Sequence, residues 1–208
     1  MRGVLISACP VSAAMARYLR PDDLVIACDA GYRNCKTLGV RPDLILGDFD
    51  SAPRPDWPEV IVLPCEKDDT DTQYAARLAL EKGCDEVVML GALGGWRLEH
   101  TMANYGTALW LARQGADVLL ADERSEVRIL LPGKTMTLDR ADWTYFSIFP
   151  MEGRAEGITL EGAYYPLENA ALDAGYPLGV SNAFAADTVR IRVKEGSLIV
   201  FCTRKEPG

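Results

Sequence analysis

Two aspartates two residues apart, Asp48 and Asp50, close the stretch Arg41-Pro42-Asp43-Leu44-Ile45-Leu46-Gly47-Asp48-Phe49-Asp50-Ser51. Leu44 to Leu46 read as the end of a buried strand, and Gly47 then frees the backbone. In extended chain this spacing puts both carboxylates on one face and Phe49 on the other. Two like charges side by side raise each other's pKa, and a cation between them removes the repulsion. Mg²⁺ is the usual ion where a carboxylate pair meets phosphates. A solvated acidic turn after a strand accounts for the same residues, and the motif alone does not choose.

Three further stretches carry similar chemistry. Lys67-Asp68-Asp69-Thr70-Asp71-Thr72-Gln73 opens a helix that runs to Lys82 and stops at Gly83. Thr70 and Gln73 fit a capping box, and Asp71 in the first turn suits the helix dipole. Capping does not explain three acids in one turn beside Lys67, so this cluster is a plausible partner for Asp48 and Asp50. Asp29-Ala30-Gly31 follows the apolar run Leu24–Cys28, at the strand end where open α/β sheets place ligand groups. Taken alone, Asp29 reads better as the cap of the helix Tyr32–Leu38, which Gly39 closes. Gly91-Ala92-Leu93-Gly94-Gly95-Trp96-Arg97-Leu98-Glu99-His100 is a glycine-rich turn into a helix, a setting that suits phosphate. It lacks the Gly-Lys-Ser/Thr of a Walker A loop. Arg97, His100 and Asn104 stand at i, i+3 and i+7 and share a helical face. His100 is the only histidine, and a lone helical histidine is more often structural than catalytic.

These residues need a frame that ends several strands at one place. From Gly3 to Ala121 short apolar strands (Gly3–Ala8, Leu24–Cys28, Leu44–Leu46, Val60–Leu63, Val87–Leu90, Asp117–Ala121) alternate with helical segments. That alternation predicts an α/β N-terminal domain, residues 1–122, with a mostly parallel sheet and helices on both faces. After Asp122 the pattern changes to short β-type runs: 127–131, 135–138, 145–149, 157–160, 164–167, 188–193 and 198–202. Turn residues such as Pro132-Gly133 and Glu195-Gly196 separate them. This predicts an all-β sandwich domain, residues 123–208. Tyr164-Tyr165 and Trp143 read as packing aromatics there, and Ser181-Asn182 as turn chemistry.

The 208 residues carry 30 acids against 22 bases, a net charge of −8. No basic stripe is visible, which argues against nucleic acid and membrane surfaces as partners. Phosphate ligands remain open, because Mg²⁺ and backbone amides can hold them. The six cysteines show no C-x-x-C or zinc spacing. Several lie in apolar runs, as reduced cysteines do. The N-terminus is too quickly polar for a signal peptide, and no apolar run is long enough to span a membrane. A cytoplasmic protein is expected.

Taken together, the motifs resemble the thiamine pyrophosphokinase (thiamine diphosphokinase) family over nearly the whole chain. Arg-Pro-Asp at 41–43 with Gly-Asp-Phe-Asp-Ser at 47–51 is the most specific match. Lys67, Asp68, Thr70 and Asp71 match the family's Lys-Asp-x-Thr-Asp. The glycine-rich segment through His100, Thr101, Ala103 and Asn104, the Asp-Ala-Gly at 29–31, and the 145–150, 159–167 and 181–182 segments also resemble it. Three features depart: Trp96 stands between the glycines and Arg97, Glu99 replaces an Asp, and Ala30 replaces a Gly. The resemblance implies transfer of a diphosphate group from ATP to the hydroxyl of thiamine, with Mg²⁺ and release of AMP. It implies Asp48, Asp50 and Asp71 as catalytic metal ligands, with Asp48 or Asp71 as base. Asp29, Lys67, Asp68, Thr70, Gly94, Gly95, Arg97, Glu99, His100 and Asn104 would surround the nucleotide. Ser181 and Asn182 would face thiamine, and a homodimer would share the site between subunits. A pyrophosphokinase for another alcohol, such as a hydroxymethylpterin, and a non-enzymatic thiamine or nucleotide sensor are the alternatives. The second domain's motifs weigh against the first, and the intact acid set weighs against the second.

Overall fold

The computed structural model describes residues 1–50 and 52–205. Ser51, the last residue of the Gly-Asp-Phe-Asp-Ser motif, lies outside the described residues. The chain divides into two compact units, Met1–Glu123 and Arg124–Gly208.

In the first unit, β1 (Arg2–Ile6), β2 (Leu24–Cys28), β3 (Leu44–Gly47), β4 (Val60–Val62), β5 (Glu86–Leu90) and β6 (Asp117–Ala121) lie in the order β4-β3-β2-β1-β5-β6. Every pairing among them is parallel. In β1, β2 and β5 only the first residue escapes burial. Such continuous apolar runs are what a parallel sheet covered on both faces requires. On one face, Val4, Val25, Ile45 and Val88 pack with Met15 and Tyr18 of a 3₁₀ turn and with Cys35 and Leu38 of α1 (Tyr32–Leu38). The segment between β1 and β2 forms this 3₁₀ turn, Ala13–Tyr18, rather than an α-helix. The other face receives α2 (Asp71–Glu81): a Cβ on Gly3, which points away from the Val4 side, would sit 3.4 Å from Ala79. α3 (Leu98–Arg113) packs on α2 and β6. Ala75, Ala76 and Ala79 are wholly buried, so small side chains bring α2 close to the sheet.

From β1 to β4 each strand is laid outward on one side, and β5 then lands on the opposite side of β1. The reversal leaves a crevice outside the carboxyl ends of β1 and β5, where open α/β sheets bind ligands.

The second unit holds β7 (Ser125–Leu130), β8 (Thr135–Asp139), β9 (Tyr145–Pro150), β10 (Arg154–Glu161), β11 (Leu167–Asp173), β12 (Thr188–Arg192) and β13 (Leu198–Thr203). Antiparallel β7-β13-β9 and antiparallel β11-β10-β12-β8 share one core, in which Phe146, Ile148 and Val200 meet Ile158, Val189 and Ile191. This is the expected sandwich. The strand expected at 164–167 is absent. Tyr164 and Tyr165 sit in a loop, ring to edge at 4.9 Å, and the strand begins at Leu167. Among the described residues β11 pairs with β10 alone, through register shifts, and buries Leu172 alone. Its polar run therefore gave no apolar signal. No helix among the described residues is long and apolar enough to cross a membrane.

Candidate active site

A cavity of about 470 Å³ opens at the carboxyl ends of the first unit's strands. Its walls come from Ser7–Pro10 after β1, Cys28–Ala30 after β2, Asp48 and Asp50 after β3, Cys65 to Thr72 at the start of α2, and Gly91 to Asn104 after β5. Two glycines let these strand ends converge. A Cβ on Gly31 would fall 2.0 Å from the Ile6 carbonyl oxygen, and one on Gly47 would fall 2.8 Å from the Asp29 Cα. Neither position tolerates a side chain without moving backbone.

The convergence produces a trio of carboxylates. Oxygens of Asp29, Asp48 and Asp71 lie within 4.8 Å of one another, all half-buried. Asp29 takes φ +46°, a left-handed conformation that Asp adopts more readily than most residues. It does not cap the following helix. The N-cap of α1 is Gly31, without a side-chain cap, and Asp29 turns into the cavity instead. The extended geometry expected for Asp48 and Asp50 is also absent. Phe49 has φ +55° and packs against the core, so the chain turns, and the Asp50 amide donates to Asp48 Oδ1 at 3.3 Å. Asp48 joins Asp29 and Asp71. Asp50 lines the same cavity but is exposed and stands outside the trio.

Lys67 sits against two of the three acids. Its Nζ donates to Asp48 Oδ2 at 2.7 Å and to the Pro64 carbonyl at 3.1 Å. It also approaches Asp71 Oδ1 at 3.1 Å, an ion-pair contact without hydrogen-bond alignment. The Lys67 ammonium holds the Asp48 carboxyl below the ordinary carboxylate range. Burial pushes the Asp71 carboxyl up, and Lys67 only partly offsets this. Burial works against the Lys67 charge as well, but its two carboxylates outweigh it and raise the pKa. Thr70 sets the start of α2: its Oγ1 accepts from the Gln73 amide at 3.1 Å, which fixes Asp71 in the first turn. Below it, the buried hydroxyls of Ser7 and Thr72 meet at 3.1 Å and tie β1 to α2. Asn34 donates to the Ser7 and Cys9 carbonyls at 2.7 and 2.8 Å. Sequence reasoning missed these three residues, because nothing in a lone Ser, Thr or Asn announces such a partner.

The trio fits a divalent cation. Three carboxylates converge, Lys67 pairs with two of them, and the buried Asp71 Oδ1 has no hydrogen-bond partner among the described residues. Oxygen ligands of this charge suit Mg²⁺.

At the glycine turn, Gly95, Trp96, Arg97, His100 and Asn104 line the cavity, whereas Gly94 and Glu99 do not. The Gly94 amide donates to Thr101 Oγ1 at 2.9 Å, so the loop itself uses it. Glu99 is exposed and accepts from Arg97 Nε at 2.7 Å. Arg97 precedes α3 as its N-cap, so Arg97, His100 and Asn104 do not form one helical face. Asn104 is buried and donates to the Ala92 carbonyl at 2.7 Å, which holds the turn. Asp68 is exposed outside the cavity lining.

In the second unit, Asn182 is 6% exposed and its amide is engaged by backbone. Oδ1 accepts from the Tyr165 and Ala183 amides, and Nδ2 donates to the Tyr165 carbonyl at 2.7 Å. It shapes the Tyr164-Tyr165 loop. Ser181 is exposed, has φ +57°, and donates its amide to Ser147 Oγ at 3.0 Å.

The family model "Thiamin pyrophosphokinase, catalytic domain" matches residues 15–120, and "Thiamin pyrophosphokinase, vitamin B1 binding domain" matches residues 135–198. The chain belongs to the thiamin pyrophosphokinase family. Thiamine pyrophosphokinase of Bacillus subtilis (strain 168) is 27% identical over 190 residues, 88% of each chain. A thiamin pyrophosphokinase structure from Geobacillus thermodenitrificans superposes with a TM-score of 0.86 at 27% identity, covering 99% of both chains. One from Bacillus subtilis gives a TM-score of 0.88 at 24% identity over 99% of this chain and 100% of that one. The catalytic-domain match contains all three trio acids and the glycine turn. The vitamin B1 match contains Ser181 and Asn182.

Proposed function

We propose that the chain transfers the diphosphate group of ATP to the hydroxyl of thiamine, forming thiamine diphosphate and AMP. The observation that carries this reading is the Asp29–Asp48–Asp71 trio, with Lys67 against it, at the switch point of the family's catalytic domain. The thiamine oxygen attacks the β-phosphorus, and the bond from that phosphorus to the α,β-bridging oxygen breaks. Its electron pair leaves with AMP. Catalysis then rests on alignment of the two substrates and on charge stabilisation.

The residues divide that work. Asp29, Asp48 and Asp71 would hold Mg²⁺, which when bound neutralises phosphate charge. Lys67 presents a fixed ammonium to the phosphates. Arg97, His100 and the Gly95 amide bind phosphate at the helix start. Asp48 or Asp71 accepts the hydroxyl proton. Asn104 and Thr70 position this machinery rather than touch substrate. Ser181 and the exposed tyrosines near it supply the thiamine side, in a cytoplasmic homodimer whose copies complete each other's sites. Purified protein with ATP, Mg²⁺ and thiamine should form AMP and thiamine diphosphate in equal amounts, and a hydroxymethylpterin should give no AMP above background. AMP release with the pterin alone would replace thiamine as the acceptor.

A further inference from the structure

Three large apolar side chains are exposed where the glycine turn enters α3: Trp96 at 102%, Leu98 at 67% and Met102 at 67%. Only Trp96 also lines the cavity. Tryptophan is among the most buried residues on average, but Trp96 is fully exposed among the described residues. Its backbone, in contrast, is held. Gly94 and Gly95 have φ +73° and +82°, which throws the next residue outward. Thr101 Oγ1 and the Cys9 thiol both donate to the Gly94 carbonyl, at 3.2 Å each. A Cβ on Gly95 would meet Cys9 Sγ at 2.8 Å, so the turn lies tight against the loop after β1. The indole is therefore presented to the rim from a fixed base, one residue beyond the Gly95 amide and one before Arg97.

We infer that Trp96 is a stacking platform for the purine ring of the nucleotide, and so a determinant of donor specificity. The inference rests on the reading of the cavity as an ATP site. Phosphates gathered by Gly95, Arg97 and His100 tether the ribose and base to the same turn, and the Trp96 indole offers a flat apolar face there. Base–aromatic stacking tolerates different bases but requires a base. The ring does not change during transfer, so the contribution belongs to binding, not to kcat.

The test uses α,β-methylene-ATP, which resists cleavage at the bond that breaks, and inorganic tripolyphosphate, which carries the phosphates without a base. Trp96→Ala should weaken α,β-methylene-ATP binding by about ten- to a hundredfold, the range for one lost stack. It should raise KM for ATP in parallel and leave tripolyphosphate affinity, kcat and KM for thiamine unchanged. Trp96→Phe should keep most of the affinity and lose the nucleotide-induced quenching of tryptophan fluorescence. Equal losses for α,β-methylene-ATP and tripolyphosphate would overturn the platform, as would no loss for either. A selective rise in KM for thiamine would overturn it too. Failure of the wild-type chain to release AMP from ATP, with α,β-methylene-ATP still bound through Trp96, would sink the transferase reading and leave the platform standing.

Discussion

The two ends of the first unit's parallel sheet both carry buried charge, but they handle it in opposite ways. At the amino end, Arg2 is 10% exposed and Asp23 1%, and they pair through two bonds of 2.7 and 2.8 Å. Arg2 also reaches the Tyr18 carbonyl and Glu86, and Arg20 closes the group by pairing with Glu86. Both acids of this group have a cation. At the carboxyl end, three acids converge and one lysine pairs with two of them, one of which keeps an unaligned buried oxygen. The first arrangement holds strands together. The second holds charge ready for something that is not protein, at a cost in stability that buried carboxylates usually carry.

That contrast makes activity and stability separable. The largest effect is expected from the trio. Asp48→Asn and Asp71→Asn should each lower turnover by roughly 10²–10³-fold, as the loss of one electrostatic contact to the reacting phosphates does. Asp71→Asn should match or raise the melting temperature, because burial opposes that charge, whereas Asp48→Asn should lower it slightly, because it gives up the pair with Lys67. Asp50→Asn should cost less than tenfold, since Asp50 stands outside the trio. Equal losses for Asp48 and Asp50 in a kcat series would restore the simple paired-aspartate site and break the trio.

Next comes the amino end, where the opposite pattern is expected. Asp23→Asn should destabilise the fold by the low end of about 3–5 kcal/mol, the range for breaking a buried pair, and leave kcat unchanged. The pH dependence carries a sign. Burial opposes the Asp23 charge, but Arg2 and the Arg20 amide outweigh it and hold the carboxyl below its ordinary value. A depressed folded-state pKa contributes stability that is present above the unfolded value, near 4. That stability is lost as pH falls through the lower folded value. Urea melts should therefore show a constant gap between wild type and Asp23→Asn above about pH 5, closing below about pH 4. A gap that widens in acid would contradict the pairing.

The smallest effect concerns Glu99. The sequence resemblance put it at the nucleotide, but its carboxylate faces Arg97 on the exposed side of the turn. Glu99→Gln should change KM for ATP by less than about fivefold, as exposed pairs do, and leave kcat unchanged. A rise well beyond that would bring Glu99 into the cavity.

How much of this was readable in the chain follows from which forces act locally. β2 and β6 were legible to the residue, because a strand buried on both faces must be an unbroken apolar run. The stops of α1 and α2 were legible too, since Gly39 and Gly83 take the left-handed conformation that ends helices. The turn at Phe49 was not, because no property of phenylalanine asks for a positive φ. The turn follows directly on Gly47, whose close approach to Asp29 joins residues 18 apart in the chain. The same contact converts Asp29 from a reasonable helix cap into a member of the trio. Asn182 shows the reverse case: a polar turn residue read as a substrate contact, whose side-chain amide bonds the Tyr165 and Ala183 backbone. Local pattern fixed the elements, and convergence of strand ends fixed the site.

The central claim is that a diphosphate group moves as a unit from ATP to thiamine. ATP labelled with ³²P at the γ-position tests it most directly, with products separated by chromatography. The account predicts label in the terminal phosphate of thiamine diphosphate and unlabelled AMP in equal amount, both lost in Asp48→Asn. ADP as the nucleotide product, or thiamine monophosphate carrying the label, would contradict it.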